Sequence, residues 1–132
     1  MYIANGRAED SPSVAKTETF VGDVWLDPIV PPQDGITINS VGFLPGAHTY
    51  WHSHERGQIL QVTSGEGWVC SAGGEPRLIR AGDTVWVPPG ERHWHGATAD
   101  SYMVHTATSL GTTNWELPIG DAYAGSPRRD VE

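Results

Sequence analysis

Apolar and polar positions change places over short distances along this chain. From residue 36 to 107 no segment sustains a helical period, while short runs rich in β-branched and aromatic residues recur between glycine and proline punctuation. The pattern predicts strands at Thr19–Leu26, Ile36–Leu44, His48–His54, Gln58–Thr63, Trp68–Ser71, Arg77–Arg80, Thr84–Val87, Arg92–Ala97 and Ser101–Ala107. Asp27-Pro28 is the expected end of the first, because proline removes a ladder donor. Turns are expected at residues 31–35, 45–46, 64–67, 73–74, 81–83 and 88–91. Thr113–Leu117 fits either a further strand or a short turn packed outside. Many short strands with regular turn signals predict an all-β sandwich or barrel. Residues 1–17 are polar and aperiodic and predict a flexible N-terminal arm; 18–123 form the domain, and 124–132 are expected to fray as a C-terminal tail.

With 132 residues the chain makes one domain, large enough for a core without staples. Its 16 glycines and 10 prolines agree with the strand-and-turn reading. Cys70 is the only cysteine, which excludes an intramolecular disulfide and a cysteine-rich zinc site; it reads as a small buried apolar residue. The net charge of −8 argues against nucleic acid and anionic membrane surfaces as partners, since both need clustered Lys and Arg. Lys16 is the only lysine, so Schiff-base chemistry has no good candidate. The first residues lack a basic and apolar leader pattern, and no run approaches the roughly 18 apolar residues of a membrane span. A cytoplasmic protein is the expectation.

All six histidines lie between 48 and 105. Side chains alternate along a strand, so His52 and His54 point the same way. Gln58 shares that parity, and His93 waits downstream. Two imidazoles on one face, an oxygen donor and a remote imidazole suit a divalent transition metal. His95 has the parity of His93 and is expected on the inward face. His48 is expected to face solvent at a strand's start. Tyr50 has inward parity and Thr49 does not, but a bulge exchanges them, so either hydroxyl is a candidate for the pocket. Trp51, Trp86 and Trp94 read as core or interface aromatics.

The chain resembles the cupin superfamily. The first cupin motif places a Gly, a His-x-His pair, a Glu and a Gly at fixed spacing; Gly46, His52, His54 and Gly65 match, with Gln58 where Glu is usual. The second is matched by Gly82, Pro88, Gly90 and His93, with Ala97 in place of Asn. The resemblance implies a small jelly-roll-like β-barrel. Trp51-His52-Ser53-His54 with Gly57-Gln58, the segment Trp86–Ala97 and Met103-Val104-His105 look like the small bacterial cupins that include manganese-dependent hydroxynitrile lyases. That likeness implies His52, His54, Gln58 and His93 as ligands of one divalent metal per chain, manganese first, with iron, zinc, cobalt or nickel as alternatives. It implies His95 and His105 as candidate acid–base groups or hydrogen-bond partners of the ligands. Cupins of this size commonly pair, so a homodimer is expected.

Four protein ligands on an octahedral ion leave two positions for substrate. Gln58, unlike a glutamate, neutralises none of the ion's charge, which favours anionic ligands such as alkoxide or cyanide and works against oxygen activation. The leading expectation is therefore a metal-dependent enzyme acting on a small oxygen-bearing organic molecule, specifically by hydroxynitrile lyase chemistry: cyanohydrin to aldehyde plus cyanide. An iron-dependent dioxygenase and a non-catalytic metal-dependent ligand-binding module are the alternatives.

Overall fold

The computed structural model describes residues 1–8 and 11–123; the expected tail at 124–132 lies outside the described residues. Twelve strands and one short 3-10 helix are present among them: β1 Val14–Ala15, β2 Phe20–Val21, β3 Val24–Gln33, β4 Ile36–Phe43, β5 His48–Thr49, β6 His52–His54, β7 Gln58–Ser71, β8 Arg77–Arg80, β9 Thr84–Val87, β10 His93–Ala97, β11 Met103–Leu110 and β12 Thr113–Trp115. All strand pairing is antiparallel. Along one path the order is β1-β3-β4-β11-β7-β10-β5-β2, with β6, β8, β9 and β12 branching from it. The sheet curls into a barrel because β7 serves both of its walls. Its first half pairs with β11 and β9, and its second half with β10 and β8.

That double role corrects the expected turn at 64–67, where β7 runs straight through. The β7–β11 register slips between Val104 and His105, which pair with Ser64 and Val62, so Thr63 is an extra residue that bends the strand. The glycines there serve close approach rather than reversal. A Cβ on Gly65, which has φ 76°, would sit 2.0 Å from the Tyr102 carbonyl oxygen, and one on Gly67 would sit 2.2 Å from that of Gly96. Two further expectations shift. The first strand divides into β2 and β3, and β3 continues through Pro28 to Gln33. Pro28 lies where the β3–β4 register is irregular, which is where a strand tolerates a residue without an N–H. The hairpin closes at Asp34 and Gly35, both with positive φ (50° and 77°), the backbone of a tight two-residue turn. Val14–Ala15, with no period to announce it, pairs with Trp25 and Leu26 of β3.

Inward residues of β3, β4, β7 and β11 make the main core, with Val24, Val41, Phe43, Leu60, Val62 and Met103 all buried. A second cluster, Trp68, Cys70, Trp94 and Ile119, lies behind β10. His48 belongs with it rather than with solvent: it is buried, stacks on Tyr123 at 4.6 Å and meets Trp94 edge-on. The remaining space inside the barrel, between β4, β11 and β6, is not filled by side chains.

Candidate metal centre

Register assembles the imidazoles. His93 of β10 pairs directly with His52 of β6, and side chains two apart on each strand share a face, so His52, His54, His93 and His95 converge. The ring of His52 is 4.2 Å from His93, 5.0 Å from His54 and 5.2 Å from His95. All four are buried, as is Gln58. The tightest trio of ring nitrogens belongs to His52, His93 and His95, which lie within 4.8 Å of one another.

Hydrogen bonds decide which nitrogens remain free. A backbone carbonyl only accepts, so His52 Nδ1–H donates to Tyr50 O at 2.9 Å and His93 Nδ1–H donates to Glu91 O at 3.0 Å. His54 Nδ1 pairs with Thr113 Oγ1 at 3.0 Å, which the β12–β6 register places opposite it. Gln58 Nε2 donates to Ser109 Oγ at 3.1 Å, which fixes the amide with Oε1 aimed at the histidines. An outer partner holding each ring by one nitrogen is how proteins present the other nitrogen to a metal.

The donors left over fit a cation. His54 Nε2 is buried without a partner. His93 Nε2 and Gln58 Oε1 face each other at 3.0 Å, although both are acceptors once Nδ1 carries the proton. Two donors bound at about 2.1 Å and at right angles around one ion lie about 3.0 Å apart. A proton is a poor substitute for that ion. Burial, with the neighbouring His93, lowers the His54 pKa to about 4, and burial lowers those of His52 and His93 as well.

Beside the cluster lies a cavity of about 150 Å³. Phe20, Leu26, Val41, Ala107 and Trp115 form its apolar wall, and Thr37, Asn39, Thr49, His52, His54, Gln58, His95, Ser109 and Thr113 line the rest. A cavity of that size holds a benzene-sized molecule.

The "Cupin domain" family model matches residues 39–108, just over half of the chain. This chain is a cupin. It is 47% identical over 90 residues to a protein named (R)-mandelonitrile lyase from Granulicella tundricola, spanning 67% of this chain and 69% of that one. The crystal structure of a cupin-like protein from Thermotoga maritima superposes with TM-score 0.77 at 32% identity, covering 93% of each chain. A polyketide cyclase from Streptomyces resistomycificus shares the fold alone, with TM-score 0.72 at 14% identity, covering 93% of this chain and 91% of that one.

The structure brings together every expected site residue of this cupin except Tyr50, which is half-buried and offers its carbonyl to His52 while Thr49 lines the cavity. The break between β5 and β6 exchanges their parity. Thr49 Oγ1 also accepts from the His95 backbone N–H at 3.2 Å, tying the two strands across the site. His105 reaches the site through His95: its Nε2 lies 2.9 Å from His95 Nδ1, leaving His95 Nε2 buried and unpartnered. Burial pushes the pKa of both rings down, to about 4 for His105. Sequence reasoning missed Ser109, Thr113, Phe20 and Trp115. Trp115 lies 4.5 Å from the His52 ring and 5.5 Å from Phe20 at the cavity's edge, and no local pattern marks it, because only the β12–β6 pairing brings it there.

Proposed function

We propose that this cupin is a metal-dependent hydroxynitrile lyase, with His52, His54, Gln58 and His93 holding one divalent ion, manganese first. The observation that carries the ligand choice is the outer hydrogen-bond set: His52, His54, His93 and Gln58 each have one nitrogen tied to an oxygen, whereas His95 is tied to another imidazole. We therefore favour His54 over His95 as the third imidazole, although the His95 trio is the more compact. The 47% identity to (R)-mandelonitrile lyase and a ring-sized cavity beside the donors support the reaction class.

A divalent ion held by neutral donors supplies an undiminished positive charge for the substrate's oxygen and for departing cyanide. The chain's own groups do the rest. His95 is neutral at pH 7 because burial disfavours its charged form, so Nε2 is free to take the cyanohydrin hydroxyl proton. The O–H electron pair becomes the carbonyl π bond as the bond to the nitrile carbon breaks. Cyanide leaves with that bonding pair and takes the proton back from His95 Nε2, giving aldehyde and hydrogen cyanide. His105 holds His95 in place through Nδ1, and Phe20 and Trp115 form part of the cavity's apolar wall.

Mandelonitrile cleavage by wild type and His95→Ala, with metal content measured on both, tests this. The expected result is benzaldehyde release by wild type, and a loss of at least about 100-fold in kcat with the metal retained in the variant. No cleavage by metal-loaded wild type, or full activity in the variant, contradicts the reading.

A further inference from the structure

The inward face of β4 changes character along its length. Val41 and Phe43 are apolar and sit in the core, while Thr37 and Asn39, on the same face, are polar; Ile36 and Ile38 point the other way. Polar-in, apolar-out is the reverse of what a barrel strand needs for packing. Asparagine is also a poor strand residue, so nothing in the fold calls for it at the centre of β4.

Asn39 is half-buried at the cavity, and its register neighbours offer its side chain no partner. Asn39 pairs with Pro28 on one side and Ala107 on the other, and neither side chain carries a polar atom. Among the described residues its amide makes no side-chain hydrogen bond, and neither does the Thr37 hydroxyl. The other polar side chains around the cavity differ in that each makes at least one hydrogen bond: His52, His54, Gln58, Thr49, His95, Ser109 and Thr113, with His54 Nε2 and His95 Nε2 left over. The small Ala107 opens the space in front of Asn39. Thr37, Ser109 and Gln58 lie in one row across β4, β11 and β7, and Asn39 is two residues further along. With strands about 4.8 Å apart and about 3.4 Å per residue, Asn39 stands roughly 12 Å from Gln58, backbone to backbone. One substituted ring and the two side chains span that distance.

We infer that Asn39, with Thr37 beside it, is a second recognition point in the cavity, selecting aldehydes and cyanohydrins that carry a hydrogen-bonding substituent remote from the reacting carbon. This rests on the proposed lyase reading for the placement of the reacting end, and deepens it by naming the substrate class. The amide supplies two donors and an acceptor, so it pairs with a hydroxyl in either sense.

The test is calorimetric binding to manganese-reconstituted protein without cyanide, so that no turnover occurs. The probes are 3-hydroxybenzaldehyde against 3-methylbenzaldehyde and the corresponding 4-substituted pair, which match in size and differ in hydrogen bonding. In wild type the better-placed hydroxyl compound is expected to bind about three- to tenfold tighter than its methyl partner. In Asn39→Leu that preference is expected to vanish. Asn39→Ala is read in parallel, with melting curves on both, so that disturbed packing does not decide the result. An equal ratio in wild type and both variants, or no preference in wild type, overturns the assignment. Failure of the lyase reading shows differently: an Asn39-dependent preference in a protein that cleaves no cyanohydrin leaves the recognition point standing, and mandelonitrile cleavage with an unchanged ratio removes the recognition point alone.

Discussion

Replacing Thr113 by valine separates the two ligand sets that the site geometry offers. Valine keeps the shape and β-branching of threonine and removes only Oγ1, which stands 3.0 Å from His54 Nδ1. Thr113 is exposed on β12, so its own packing contributes little to stability. Loss of a ligand's outer hydrogen-bond partner costs roughly 10–100-fold in metal affinity, or about 1.4–2.8 kcal/mol. The low end applies here, because water can reach this edge and replace part of the lost hydrogen bond, itself worth about 0.5–1.5 kcal/mol. The expectation is therefore a weakening of about tenfold in manganese affinity, with the melting temperature of the metal-free protein nearly unchanged. Competition against a chelator of known affinity reads this directly. An unchanged affinity refutes the reasoning, since His52, His93 and His95 together do not depend on Thr113.

Other consequences follow from the same geometry. Gln58→Glu is expected to keep the metal and to weaken azide or cyanide binding, because the new carboxylate cancels one unit of the site's charge; optical or calorimetric titration with azide showing equal or tighter binding would refute that. In metal-free protein His105, held at about 4 by burial, leaves no penalty above the unfolded pKa near 6.5. As pH falls from about 6.5 to about 4 the unfolded chain takes up the proton first, and stability drops by up to about 3 kcal/mol from this residue. Urea unfolding should accordingly be less pH-dependent in His105→Leu over that range, and an unaltered slope would remove His105 from the account. Gly96→Ala should lose about 2 kcal/mol or more in thermal unfolding, because its new Cβ would lie 2.4 Å from that of His48 and 2.5 Å from the Ala47 carbonyl oxygen; a variant as stable as wild type contradicts the tight β10–β5 approach.

Much of this molecule is legible in local pattern. Alternation gave His52 and His54 a common face, and the same parity carried Gln58 and His95 inward, because a strand's side-chain period is fixed by its backbone. What local pattern does not carry is register. Ser109 and Thr113 hold Gln58 and His54, and Trp115 edges the cavity, only through strand pairings between residues more than 50 positions apart in sequence for the first two. Glycine misleads for a related reason. At Gly65 and Gly67 it answers to strands that approach from elsewhere, not to a reversal of its own chain, and a sequence does not say which. Pro28 likewise suggests a strand end until its irregular partner on β4 is known.

Three imidazoles and one amide are expected to hold a metal on which cyanohydrin cleavage depends. Elemental analysis of protein stripped with chelator and then reconstituted with manganese, coupled to mandelonitrile cleavage at each stage, tests it most directly. The expected result is about one ion per chain, with cleavage lost on stripping and restored on reloading. A reconstituted protein that takes up no stoichiometric metal, or a stripped one that cleaves as fast as before, would contradict it.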